Sequence, residues 1–306
     1  MPYHKTKVIF NPAANIGRAW PLASALRPVA ESFTGVEWTE TTHSAHATRL
    51  AHTAALEGCD LVVAIGGDGT VHEVVNGLMQ VPANDRPALG VVPVGSGNDF
   101  AFSLGMPGDP EAALRQVLCG TPRPVDVGRI QDGNGRTEFF SNTVGIGFDA
   151  IVVIHSRNVP VLQGFPVYLI AVFRTLLFNH HPFFCTIETD QRTWQNSLLM
   201  LAVCNGQREG GGFHLVPDGK NNDGWLDTVA LHRVSRSKLL LKTLVPFLKG
   251  THQSLEHVSL DQVRSLSLQS DIPLIIHTDG EIFSGFGSDV RQLRFEIFPA
   301  ALCASC

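Results

Sequence analysis

Apolar residues fall along this chain in two rhythms, and the change between them divides it. Through residues 7–118, short β-branched runs alternate with stretches whose apolar positions recur every three or four residues. Residues 7–10 predict a first strand ending at Asn11-Pro12, residues 19–33 a helix that Pro28 must end or kink, residues 36–42 a second strand, and residues 44–57 a helix with Ala47, Leu50, Ala51 and Ala54 on one face. Residues 61–65 have the length and β-branched content of a buried strand. Val71, Val74, Val75 and Leu78 then predict a helix, with Thr70 and Glu73 at capping-box spacing. Residues 89–92 form another strand and residues 110–118 the last helix of an open α/β sheet.

From residue 125 the rhythm shortens. Residues 125–130, 138–144, 183–189, 197–203, 226–231, 263–268, 274–278 and 293–298 read as strands, with helices expected only at 165–178 and 237–249. The pattern therefore predicts an α/β domain over residues 1–124, followed by a β-rich domain, foremost a sandwich, over residues 125–306.

The central strand runs into Gly66-Gly67-Asp68-Gly69-Thr70-Val71-His72-Glu73. Glycines there allow positive φ and close approach to the main chain, and the helix that follows turns its N-terminus back on the turn, so an anion, foremost a phosphate, is expected. Asp68 beside a phosphate repels it unless a cation such as Mg²⁺ intervenes or the group handles a proton. Taken alone, the motif is equally an ordinary glycine-rich turn with a solvated carboxylate. Two more polar loops follow strands, residues 11–15 and 95–99, and in an open α/β sheet ligands bind outside the carboxyl ends of the strands.

Composition narrows the classes. Of 306 residues, 44% are hydrophobic and 17% charged, enough apolar material for two cores, and a net charge of −5 argues against a nucleic-acid partner. The N-terminus has no signal-peptide pattern, so a cytoplasmic protein is expected. The most apolar segment, residues 159–178, is interrupted by Pro160, Gln163, Gly164, Pro166 and Arg174, and reads as a buried or interfacial helix. Six scattered cysteines read as reduced thiols, and Cys303 and Cys306 as part of a frayed tail.

In the second half, Asp279-Gly280 between two apolar runs is a hairpin signal that puts Glu281 just past a rigid turn. Asp218, Asp223 and Asp227 offer oxygens to a hard cation without matching a calcium loop, so a solvated loop is the default. Gly145-Ile146-Gly147-Phe148-Asp149-Ala150 formally matches a dinucleotide fingerprint but lies among strands and lacks the acidic residue further on. No phosphate-loop or nucleophile-elbow motif occurs.

With these residues together, the chain resembles the diacylglycerol kinase catalytic-domain family, in its bacterial lipid kinase branch. The resemblance rests on Gly66-Gly67-Asp68-Gly69-Thr70-x-x-Glu73-Val74-Val75-Asn76-Gly77 and Pro93-x-Gly95-Ser96-x-Asn98-Asp99-Phe100-Ala101, and runs from Asn11 to Glu281. It implies a nucleotide-binding domain like those of phosphofructokinases and NAD kinases, a β-sandwich, and an active site between them. It further implies that Asn11, Pro12, Ala13, Ala14, Asn15, Thr41, Gly66, Gly67, Asp68, Gly69, Thr70, Val71, His72, Glu73 and Ser96 contact ATP. By the same resemblance Glu281 is the general base, Asp68 and Asp99 organise Mg²⁺ and water, and Lys220, Asp223 and Trp225 hold a further Mg²⁺. Asn15 replaces the usual Gly of an Asn-Pro-x-x-Gly loop, and Ser96 replaces Thr. The expected activity is ATP- and Mg²⁺-dependent phosphorylation of a hydroxyl of diacylglycerol or a related lipid, with transient association at the inner membrane surface and room for a homodimer. An NAD kinase and a catalytically silent nucleotide-binding or membrane-recruited module are the rival readings.

Overall fold

The β-branched runs of the first rhythm become parallel strands. The computed structural model describes residues 3–157 and 165–306. The chain forms two compact units, Met1–Val127 with Pro299–Cys306 (unit 1) and Gly128–Phe298 (unit 2). Unit 1 runs β1 (Thr6–Phe10), α1 (Ala23–Glu31), β2 (Val36–Glu40), α2 (His46–Leu56), β3 (Leu61–Gly66), α3 (Asp68–Leu78), β4 (Ala88–Pro93), α4 (Asp99–Ser103) and α5 (Pro110–Cys119). The strands pair in parallel in the order β2-β1-β3-β4, with Phe10 level with Glu40 and Ile65, and Ile65 level with Val92. The register therefore releases three loops from one edge of the sheet. Every residue of β1, β3 and β4 is buried, as a sheet covered on both faces requires. Gly77 lets α3 cross α2 closely, since a Cβ there would run into Thr48 O and Ala51 Cβ.

Two local expectations change. Helix α3 starts at Asp68 with Gly67 as its uncapped N-cap, so Thr70 and Glu73 do not form a capping box. Glu73 instead accepts from the N–H groups of Ala45 (2.8 Å) and Ala47 (3.0 Å), capping α2, a tertiary use of a residue whose spacing suggested a local one. Pro28 sits inside α1, which ends at Glu31.

Unit 2 is antiparallel. Its elements are β5 (Pro122–Asp132, entering from unit 1), β6 (Thr137–Phe140), β7 (Thr143–Gly147), α6 (Phe148–Ser156), α7 (Phe165–Phe178), β8 (Phe183–Thr189), β9 (Thr193–Cys204), β10 (Arg208–Glu209), β11 (Phe213–His214), β12 (Leu226–His232), α8 (Arg236–Lys238), a π-helical turn (Leu239–Thr243), α9 (Leu244–Lys249), β13 (Val258–Val263), β14 (Ser265–Ser270), β15 (Ile276–Thr278), β16 (Glu281–Ser284) and β17 (Gln292–Ser305). Strand β9 is shared: residues 193–198 pair with β8, while residues 200–204 pair with β7 and β12. Leu198, Leu201 and Val203 enter the sandwich core with Ile146, Phe183 and Phe295, whereas Leu199, Met200 and Ala202 pack under α6, α7 and α9. Both faces of β9 are thus buried, which is why its sequence reads as a continuous apolar run.

Helix α6 was not expected, since no element was assigned there and Ile151, Val152, Val153 and Ile154 are β-branched; burial against β9 overrides that propensity. The run at 138–144 breaks into β6 and β7, and that at 263–268 into β13 and β14. The C-terminus is not frayed. Ala304 pairs in parallel beside Leu89 of β4, and the Ser305 hydroxyl donates to Val117 O, so residues 299–306, expected with the sandwich, belong to unit 1. All six cysteines are free thiols. Of the apolar segment 159–178, residues 159–164 lie outside the described residues, and the rest is α7.

Candidate active site

In unit 1 the three polar loops converge, and backbone bonds bring them together. Asn11 N–H donates to Ile65 O (2.9 Å), Thr41 N–H to Phe10 O (2.8 Å) and Val94 N–H to Gly66 O (3.0 Å). Side chains then tie the loops to one another. Asn11 Oδ1 accepts from Ala13 N–H (3.0 Å), while its Nδ2 donates to Thr70 Oγ1 (2.8 Å). Asp68 Oδ1 accepts from Asp99 N–H (2.8 Å) and Phe100 N–H (3.3 Å), capping α4 from across the sheet edge.

The glycines serve a purpose other than the positive φ expected of them. None of Gly66, Gly67 and Gly69 takes a positive φ. A Cβ at Gly66 would strike the Thr70 side chain, and one at Gly95 would strike the Gly67 Cα. The two turns therefore touch backbone to backbone, and only glycine fits. Left-handed geometry occurs instead at Asn15, Ile16 and Gly17 (φ 53°, 56° and 77°), so the Asn that replaces the usual Gly adopts the conformation that Gly would.

Residues expected around the nucleotide divide accordingly. Asn11, Pro12, Ala13, Ala14, Asn15, Thr41, Gly66 to Thr70 and Ser96 lie on or beside the joined loops, with Ser96 exposed and Asp99 buried. Val71 and His72 are buried in α3, His72 bonded to Asn76, and Glu73 is committed to α2. A Cβ at Gly97 would meet Asp68 Oδ2 at 2.8 Å and Asp99 Oδ2 at 3.2 Å, so two carboxylate oxygens face one small space. That all-oxygen pair fits a hard cation such as Mg²⁺, and the neighbouring N–H-rich turns fit phosphates.

In unit 2 the Asp279-Gly280 turn has both residues at positive φ (50° and 84°), the geometry of a tight hairpin. The buried Asp279 carboxylate accepts from the N–H groups of Ser141 (3.0 Å), Asn142 (2.9 Å) and Thr143 (3.0 Å), which breaks the 138–144 run and pins the turn. Glu281 follows, half-exposed, its Oε2 bonded at 2.6 Å to Arg157, which also donates to Gly280 O (2.8 Å).

The 218–227 loop does not gather its three carboxylates. Asp227 lies in β12, accepting from Gln262, and burial pushes its pKa up to about 6 with a smaller push from Asp223. Lys220 and Asp223 are exposed, and Asp223 Oδ1 accepts from Trp225 N–H (3.1 Å). One carboxylate with the Lys220 and Trp225 carbonyls suits a hard, solvated cation by donor type. Among the described residues, the side chains that do gather are Asp149, Glu209 and His277.

Beside Asp149 and Glu209 opens a narrow cavity of about 70 Å³. Tyr168, Val172 and Leu176 of α7, Leu239 and Leu240 of the π-turn, and Phe247 of α9 line it; Asp149 and Glu209 are the charged residues on its wall. Its mostly apolar lining suits an acyl chain. Sequence reasoning read residues 159–178 as a buried or interfacial helix but missed this cavity, Arg157, the Asp279 clamp and the acid–histidine group. Their partners lie over a hundred positions apart, as with Asp149 and His277, and the one local signal, Gly145 to Ala150, resembled a different motif.

Residues 5–130 match the diacylglycerol kinase catalytic domain, and residues 142–304 match the YegS C-terminal NAD kinase beta sandwich-like domain. A probable lipid kinase YegS-like protein of Chromohalobacter salexigens is 35% identical over 258 residues, covering 83% of this chain and 78% of its own. The diacylglycerol kinase of Bacillus subtilis is 31% identical over 284 residues, 90% of this chain and 89% of its own. A crystal structure of a putative diacylglycerol kinase from Bacillus anthracis superposes with a TM-score of 0.79 at 24% identity, over 100% of this chain and 98% of that one, a likeness of fold.

Proposed function

This chain belongs to the diacylglycerol kinase catalytic-domain family, and on that premise we propose that it transfers the γ-phosphoryl group of ATP, with Mg²⁺, to a hydroxyl of diacylglycerol or a closely related lipid. The observation that carries this reading is the meeting of Asp68 and Asp99 on two glycine turns packed backbone to backbone at the ends of β3 and β4. In it, Asn11 to Asn15, Thr41, Gly66 to Thr70 and Ser96 hold the nucleotide. Mg²⁺, when bound, neutralises phosphate charge, and Asp68 and Asp99 are the groups that orient it and its water. The acceptor hydroxyl gives its proton to Glu281 as its oxygen bonds to the phosphorus and the bond to ADP breaks. Lys220, Asp223 and Trp225 hold a second, structural Mg²⁺.

The cavity in unit 2 takes an acyl chain of the substrate. Helix α7 supports work at a membrane surface, because its other face leaves Ile170, Phe173 and Leu177 exposed at i, i+3 and i+7, and Leu241 and Val245 of the π-turn and α9 are exposed as well. No helix among the described residues is long and apolar enough to cross a membrane. On this reading the protein works from the cytoplasm, peripheral at the inner membrane surface, with the exposed face of α7 against the lipid.

Steady-state kinetics of Glu281→Gln test the base directly. A fall in kcat of about 10²–10⁴-fold with nucleotide affinity retained is expected; unchanged turnover contradicts the assignment.

A further inference from the structure

The Gly145-Ile146-Gly147-Phe148-Asp149-Ala150 segment, which the dinucleotide reading leaves without a use, has one. Strand β7 delivers Gly145 opposite His277 of β15, and the first turn of α6 delivers Asp149 above it. A Cβ at Gly145 would run into both Asp149 Oδ2 and His277 Nε2, so this glycine is what allows the two side chains to meet. His277 is fully buried; its Nε2 lies 2.8 Å from Glu209 Oε1 and 3.3 Å from Asp149 Oδ2. On its other side, Nδ1 accepts a hydrogen bond from Gly280 N–H (3.2 Å), within the turn that carries Glu281.

That last contact decides what the cluster does. A metal ion would need the Nε2 lone pair, which in a neutral ring requires the hydrogen on Nδ1. Nδ1 faces an N–H donor, so it keeps its lone pair and the hydrogen is on Nε2, directed at Asp149 Oδ2, with the Glu209 carboxylate beside it. The acids favour a second ring proton and pull the pKa of His277 up against the effect of burial, while the Gly280 N–H facing Nδ1 opposes that proton; burial with the Asp149 charge pushes Glu209 up to about 7.

We propose that His277, oriented by Asp149 and Glu209, is a positioning residue that fixes the Gly280 N–H and so aims Glu281. The Asp279 carboxylate pins one side of the turn to residues 141–143, and the His277 ring pins the other. Asp149 and Glu209 also form the charged wall of the cavity. This inference rests on Glu281 being the base, and its test separates the two claims.

Amide hydrogen exchange of the full-length protein reads the Gly280 N–H without any assay of activity. In His277→Phe, exchange at Gly280 should quicken by about tenfold or more while Asp279 N–H, bonded to Thr143 O, stays protected. The same variant should lose about ten- to a hundredfold in kcat with the KM for ATP unchanged, as a misaimed group does. In a Glu281→Gln background, His277→Phe should cost nothing further. Wild-type protection at Gly280, or an equal loss of kcat with and without Glu281, overturns the proposal. If Glu281→Gln retains full turnover, the base assignment fails, while faster exchange at Gly280 still upholds the hold on the turn. Should the ring substitution not fold, Glu209→Gln keeps volume and an acceptor. It should quicken Gly280 exchange by about two- to fivefold, and no change there overturns the proposal.

Discussion

The two units build their polar sites in opposite ways. In unit 1 the functional groups are consecutive: Asn11 to Asn15, Gly66 to Thr70 and Gly95 to Asp99 each follow a strand, and parallel register brings the three segments together. In unit 2 they are scattered. Asp149 starts a helix, Glu209 lies in a two-residue strand, His277 is in the middle of β15 and Arg157 caps α6; antiparallel pairing and helix docking assemble them across long loops. A site made of segments shows in the sequence as motifs, and a site made of single residues does not.

The largest expected effect is at the joint of the unit 1 loops. Asp68→Ala removes the cap of α4 and half of the carboxylate pair, and should lower kcat by about a hundredfold or more while costing about 1 kcal/mol of stability. Steady-state kinetics beside a denaturant titration read both quantities, and equal loss in neither would show that the loops do not act as one site.

Gly95→Ala asks whether close approach, rather than backbone freedom, is what these turns need. Its Cβ would strike the Gly67 Cα, and the chain should lose up to about 3 kcal/mol, visible as a lower midpoint in urea. A neutral substitution would mean that the turns separate easily.

Asp227 marks unit 2 by pH. Burial raises its pKa from 3.8 to about 6, so below about pH 4 it is protonated whether folded or not and costs nothing. Between about pH 4 and 6 the unfolded chain ionises while the folded one resists, so stability is lost across that window and the loss is complete once the folded carboxyl also ionises above 6. Asp227→Asn should therefore match the wild type near pH 4 and exceed it by about 2 kcal/mol above pH 7, measured by chemical denaturation across that range. A gain that does not vary with pH would remove the ionisation argument.

The smallest effect concerns Glu73, which sequence spacing assigned to its own helix. If it caps α2 through Ala45 and Ala47, Glu73→Ala should cost about 1 kcal/mol, with protection lost at the amides of those two residues rather than in the first turn of α3.

What could be read beforehand follows the same division. The α/β order, the sandwich, the Asp279-Gly280 hairpin and the α7 bounds were all legible, because each has a period or a turn signal behind it. Helix α6 was hidden by its β-branched run, the β17 terminus by a pairing partner two hundred positions away, and the acid–histidine group by the absence of any local spacing. The 218–227 acids looked like a cluster because they are close in sequence; β12 buries Asp227 while Asp223 stays exposed.

The central claim is transfer of phosphate from ATP to a lipid hydroxyl with Glu281 as base. Wild-type protein and Glu281→Gln would each be given γ-labelled ATP and Mg²⁺, with diacylglycerol, a sphingoid base and NAD as separate acceptors in mixed micelles or solution, and the products separated by thin-layer chromatography. Label in a lipid, most in diacylglycerol and lost in the variant, is the predicted result. Label in NAD alone, or in no acceptor while ATP still binds, would contradict the account.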